Sequence, residues 1–117
     1  MKYVDGFVMP VPTAKKQAFI EMAHRRAPVF KEYGVLQVVD SWGDDVPEGK
    51  VTSFPMSVKA TEDETVCFGW FVWPSKEVRD ENMQKMMEDP RCQPDGGEMP
   101  FDGKRMIFGG FQMVSEF

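Results

Sequence analysis

Val66-Cys67-Phe68-Gly69-Trp70-Phe71-Val72-Trp73 constrains this chain more than any other stretch. It is apolar throughout, and eight residues suit a strand covered on both faces better than a helix. Pro74-Ser75 stops it, and a helical pattern follows over residues 76–88, ending before Pro90. The same grammar occurs near the N-terminus. Residues 3–11 read as a strand, Pro12-Thr13 as the stop and residues 14–33 as a helix. Overlaying Pro12-Thr13 on Pro74-Ser75 superposes two strand–helix units, which predicts a pseudo-symmetric α+β domain.

The remaining segments fill in that plan. In residues 35–42, Leu36, Val38, Asp40 and Trp42 share one face of a second strand, and Gln37, Val39 and Ser41 share the other. Residues 51–58 alternate as a third strand, with Pro55 pointing to an edge or a bulge. Residues 105–114 read as the last strand, where Gly109-Gly110 predicts a bulge or a close backbone approach. The first helix carries Phe19, Met22, Ala23, Phe30 and Tyr33 in one stripe, and Pro28 is expected to kink or split it. Residues 90–102, rich in Pro and Gly, read as a long loop.

Counting four strands and setting the proline-marked edge segment 51–58 apart, the order β-α-β-β-α-β is the ferredoxin-like split βαβ. A single domain over residues 1–117 is expected, with an antiparallel sheet and two helices on one face. The other face then stays apolar. With 10 Phe and 10 Met in 117 residues, that face is too greasy to leave in water. A homodimer closed through the open sheet face is the expected solution.

Charge excludes several partners. The formal net charge is −5 with no basic stripe, which argues against binding nucleic acid or an anionic membrane. Asp5, Pro10 and Pro12 interrupt any apolar leader, and no run approaches the roughly 18 apolar residues a bilayer span needs. Cys67 and Cys92 form neither a CxxC motif nor a zinc spacing. A reducing, cytoplasmic setting without metal or cofactor is the expectation.

The chemical candidates are few. Arg26, Arg79 and Asn82 fall on helix arcs that otherwise point inward. An inward guanidinium must find a partner. Structural carboxylates such as Asp44, Asp45 or Asp102 are one source, and an acidic ligand is another, since Arg binds carboxylates bidentately. In the ligand reading, Arg26, Asp44, Arg79 and Asn82 supply the polar contacts of an apolar pocket between sheet and helices. In the alternative, the protein is a non-catalytic dimeric interaction module. Asp44-Asp45 with Glu48 offers too few oxygens for Ca²⁺ and reads as a solvated turn. His24 lies off the apolar stripe and reads as a surface residue; Cys67 reads as a core thiol, and Cys92, beside Arg91, as the more reactive one.

Four stretches carry a family resemblance: RAPVFKEYG at residues 26–34, DDVPEGKVTSFP at residues 44–55, PSKEVRD at residues 74–80 and MPFDGKRM at residues 99–106. With the opening Tyr3-Val4-Asp5-Gly6-Phe7-Val8, they resemble the YbaA-like family of uncharacterised bacterial proteins along nearly the whole chain. The resemblance implies the dimeric α+β barrel architecture. It implies no activity, cofactor or catalytic residue.

Overall fold

The computed structural model of the chain describes residues 1–94 and 99–117. Two central strands, β1 (Tyr3–Pro12) and β3 (Glu64–Trp73), run antiparallel from the pair Tyr3–Trp73 to the pair Pro12–Glu64. β2 (Gln37–Trp42) adds to β3 and β4 (Ile107–Gln112) adds to β1, giving the sheet order β2-β3-β1-β4. Helices α1 (Lys16–Glu32) and α3 (Lys76–Glu88) connect the strands, with a single turn, α2 (Phe54–Ser57), between β2 and β3. Setting that turn aside, the order is the expected β-α-β-β-α-β.

The register divides the side chains. Tyr3, Asp5, Phe7, Met9 and Val11 of β1 face the same side as Cys67, Phe71 and Trp73 of β3. Val29 and Phe30 of α1 and Met86 of α3 pack on Tyr3, Phe71 and Trp73, and Phe19 packs on Met9, Val11 and Cys67. Trp73 and Met86 are fully buried. Burying a Met or Phe side chain contributes about 1.5–3 kcal/mol, so these contacts fix the helices to this face.

Local chemistry sets the element ends. Ser75 Oγ accepts a hydrogen bond from Val78 N at 3.2 Å and caps α3. Gly34, with φ +106°, turns the chain out of α1 in a conformation that favours glycine. Of the expected kink or split at Pro28, the split does not occur: α1 runs unbroken through it. The proline ring sits on the exposed side, while its neighbours Val29 and Phe30 are buried and hold the last turn against the core.

Residues 51–58 depart from the expected strand. They form no strand. Ser53 Oγ accepts from Met56 N at 3.1 Å, and Pro55 lies in the first turn of α2. A capping Ser followed by Pro is helix-start chemistry, and it overrides the two-residue alternation. The segment instead lies on the far face of the sheet. There Val58 packs with Val8 and Val66, and the Phe54 ring meets Phe68 edge-on at 5.9 Å.

β4 is shorter than expected and its register with β1 is unbroken, so Gly109-Gly110 makes no bulge. The close-approach alternative holds: a Cβ on Gly110 would strike the Tyr3 hydroxyl. Of the expected loop over residues 90–102, Gly96 and Gly97 lie outside the described residues. Among the described residues, no helix is long and apolar enough to cross a membrane.

Candidate functional site

A cavity of about 380 Å³ lies between the two helices and the sheet. Phe7, Met9 and Phe71 form its floor, Met22 and Arg26 of α1 one wall, and Met83 and Met87 of α3 the other. Gly69 shapes the floor. A Cβ there would collide with the Phe7 ring and with the Val39 carbonyl, so only glycine lets Phe7 lean across β3. The lining is dominated by thioethers and phenyl rings, which gives an apolar and deformable space.

Two arginines reach this cavity, and they differ completely in what they touch. Arg79 is paired. Its Nε donates to Asp5 Oδ2 at 3.1 Å and its Nη2 to Asp5 Oδ1 at 2.8 Å, a bidentate clamp. Trp73 Nε1 adds a third hydrogen bond to Asp5 Oδ2 at 2.9 Å. The remaining arm of Arg79 reaches Asp80 at 3.0 Å, and its guanidinium stacks on the Tyr3 ring. Asp5, 5% exposed, is therefore a buried charge with its oxygens engaged.

Among the described residues, Arg26 meets no carboxylate. Its Nη1 and Nη2 lie 3.6 Å and 3.9 Å from the sulfurs of Met22 and Met87, and the Cys92 thiol is its other polar neighbour. Thioethers are weak acceptors. Its Nε is buried and has no hydrogen-bond partner among the described residues. The guanidinium also stacks over Phe30 at 5.1 Å. Burial holds its pKa below the ordinary arginine value, partly offset by the thiol of Cys92 and the charge of Asp40.

Asp40 is a second charge at this cavity without an ion pair among the described residues. Projecting from edge strand β2, it sits opposite Gly69 and lines the same cavity. It also lines a groove of about 340 Å³ between α1 and β2, and the two spaces adjoin at Phe19, Ala23 and Asp40. Asp40 is exposed, yet the protein around it partly desolvates its carboxyl and raises its pKa, and the nearby Arg26 only partly reverses this.

The structure thus brings Arg26 and Arg79 together at one cavity and leaves two other expected residues outside it. Asp44 is exposed in the turn after β2. Asn82 is half-buried, but its side-chain amide donates to the Val78 carbonyl of its own helix at 2.9 Å. The carboxylate that satisfies Arg79 is Asp5, not Asp44, Asp45 or Asp102; Asp102 pairs with Arg105. His24 is exposed on the edge groove. Cys67 is buried and its thiol is pushed up to about 11 by desolvation. Cys92 is also buried and its thiol raised, which reverses the expectation of a reactive loop cysteine. Among the described residues, no cluster of three or more His, Cys, Asp or Glu could hold a metal ion.

Comparison with known proteins places the chain. The family described as "Protein of unknown function (DUF1428)" matches residues 2–103. "Uncharacterized protein YbaA" of Escherichia coli (strain K12) is 60% identical over 114 residues, covering 97% of each chain, and the protein of the same name from Shigella flexneri matches equally. Among solved structures, a dimeric ferredoxin-like protein from an uncultured marine organism superposes with a TM-score of 0.64 over 99% of this chain and 98% of that one. Its sequence identity is 12%, so the likeness is one of fold.

Proposed function

Since the chain belongs to the DUF1428 family, whose function is unknown, we propose from the cavity itself that the protein binds a small, largely apolar molecule through one anionic group held by Arg26. The observation that supports this is the buried Arg26 Nε, without a partner among the described residues, beside two N–H groups aimed at sulfur. A guanidinium presents five donors in a fork that matches a carboxylate. In an apolar cavity, a carboxylate replaces weak sulfur contacts with charge-assisted hydrogen bonds. The volume, about 380 Å³, falls within the ~300–1,000 Å³ common for small-ligand pockets. Flexible methionines let the walls close on the apolar part.

Calorimetric titration with a panel of hydrophobic carboxylic acids and their matched primary amides tests this. The acids are expected to bind at least about tenfold tighter than the amides, the equivalent of one good charge-assisted bond. Arg26→Met should abolish the difference. Equal binding of acids and amides, or unchanged affinity in Arg26→Met, overturns the reading.

A second reading concerns the sheet face away from the helices. Val4, Val8, Val66, Phe68, Ile107 and Phe111 point there, and Phe68, Ile107 and Phe111 are 42%, 46% and 60% exposed. The α2 segment shields only one end. The central positions of this face carry no charge, so two copies related by a two-fold axis meet without like-charge repulsion. We infer that a second copy of the chain covers it, and the dimeric state named for the structurally similar marine protein supports this. Light scattering at micromolar concentration should give twice the chain mass, and Phe68→Glu with Ile107→Glu should halve it. A monomer in the unaltered protein overturns the dimer without touching the cavity. A stable dimer that binds none of the acids leaves the non-catalytic interaction module as the better description.

A further inference from the structure

Arg26 and Asp40 are two opposite charges that line one apolar cavity and leave each other unbridged. Among the described residues, Arg26 spends its donors on sulfur or on nothing. Asp40 makes no hydrogen bond or ion pair among the described residues; what acts on its carboxyl is desolvation and the field of Arg26. By contrast, Asp5 and Arg79 in the same cavity saturate each other.

A plain carboxylic acid answers only half of this arrangement. Its anion satisfies Arg26 but brings a second negative charge into the cavity that Asp40 lines, where the two repel, screened only in part by the solvent that reaches Asp40. A cationic amine answers only the other half. A molecule that carries both an anion and a cation complements the pair and enters with no net charge. It leaves no new buried charge unpaired, which is the arrangement that costs most.

Resting on the reading of Arg26 given above, we propose that the ligand is a zwitterionic apolar amino acid, its carboxylate on Arg26, its ammonium on Asp40 and its side chain against Phe7, Phe71 and Met83. Asp40 stands where the edge groove meets the cavity. The ammonium therefore lies nearest the groove and the apolar side chain deepest among the rings and thioethers. Gly69, opposite Asp40 on β3, adds no side chain of its own to that space.

Three probes on the unaltered protein test the proposal by calorimetry: L-phenylalanine, 3-phenylpropionate, which lacks the ammonium, and phenethylamine, which lacks the carboxylate. L-phenylalanine should bind at least about tenfold tighter than either. Asp40→Asn, isosteric and on an edge strand, should bring L-phenylalanine down to the affinity of 3-phenylpropionate and leave the latter unchanged or improved. Circular dichroism and a thermal melt establish that this variant is folded, and the comparison of the three probes does not depend on it. If 3-phenylpropionate matches or exceeds L-phenylalanine, the assignment of Asp40 is wrong while Arg26 as an anion anchor survives. If none of the three binds, both fall.

Discussion

Arg79 and Arg26 project from the two helices toward the same cavity, and their surroundings make them different kinds of residue. Arg79 faces Asp5 on the central strand β1, with Trp73 bonded to the same carboxylate. Arg26 faces Met22, Met87 and Cys92. The first is a closed electrostatic unit that ties α3 to the sheet. The second is a cation kept in an apolar space with donors to spare. Inward phase on a helix therefore says nothing about role until the opposing residue is known.

The largest expected effect lies on the closed side. Asp5→Ala should cost about 3–5 kcal/mol of stability, because it leaves the Arg79 guanidinium and the Trp73 N–H without their acceptor. The shift of the urea unfolding midpoint measures it. A loss no greater than that of an exposed ion pair would mean that Arg79 is as unanchored as Arg26.

Arg105 sharpens the contrast as a second arginine in a filled position, bound by Glu64 and Asp102. This pairing lowers the Glu64 carboxyl from 4.5 to about 2, with the hydrogen bond from Arg105 as the main cause. A carboxyl depressed by folding contributes stability that is complete above pH 4.5 and is lost as pH falls toward 2. Glu64→Gln should therefore lower stability near neutral pH by about 1–3 kcal/mol, between a surface and a buried pair. The gap from the unaltered protein should close as thermal melts are taken from pH 5 down to pH 2. A gap that stays constant with pH would show that the ion pair is not its source.

The smallest stability change is expected at Arg26. Arg26→Met should alter the unfolding free energy by no more than about 1 kcal/mol in either direction, since the apolar replacement removes a poorly satisfied buried charge. A loss as large as that of Asp5→Ala would erase the distinction between the two arginines and assign Arg26 a structural role.

Much of the architecture was legible in the residues. The apolar run before Pro74-Ser75 became a central strand, and residues 76–88 are α3 to the residue. Residues 51–58 misled because their alternation imitates a strand, while Ser53 and Pro55 carry the stronger local instruction for a helical turn. The site was half legible. Arg26 and Arg79 follow from helical phase. Asp5 was available from the alternation of Tyr3, Phe7, Met9 and Val11, being the one charge between inward apolar positions of β1. Asp40 shared a face with Val38 and Trp42, and the same signal pointed to it.

What the chain determined unaided is the list of inward-facing groups, because strand and helix periods are local and follow from backbone geometry. Which inward arginine would be neutralised was settled only when α3 docked over β1 and α1 docked beside β2. Pairing needs oxygen and nitrogen within about 3 Å, and residues 74 positions apart in the chain acquire that proximity only through tertiary packing. The same docking left Arg26 among sulfurs, and with it the cavity on which the functional proposal depends.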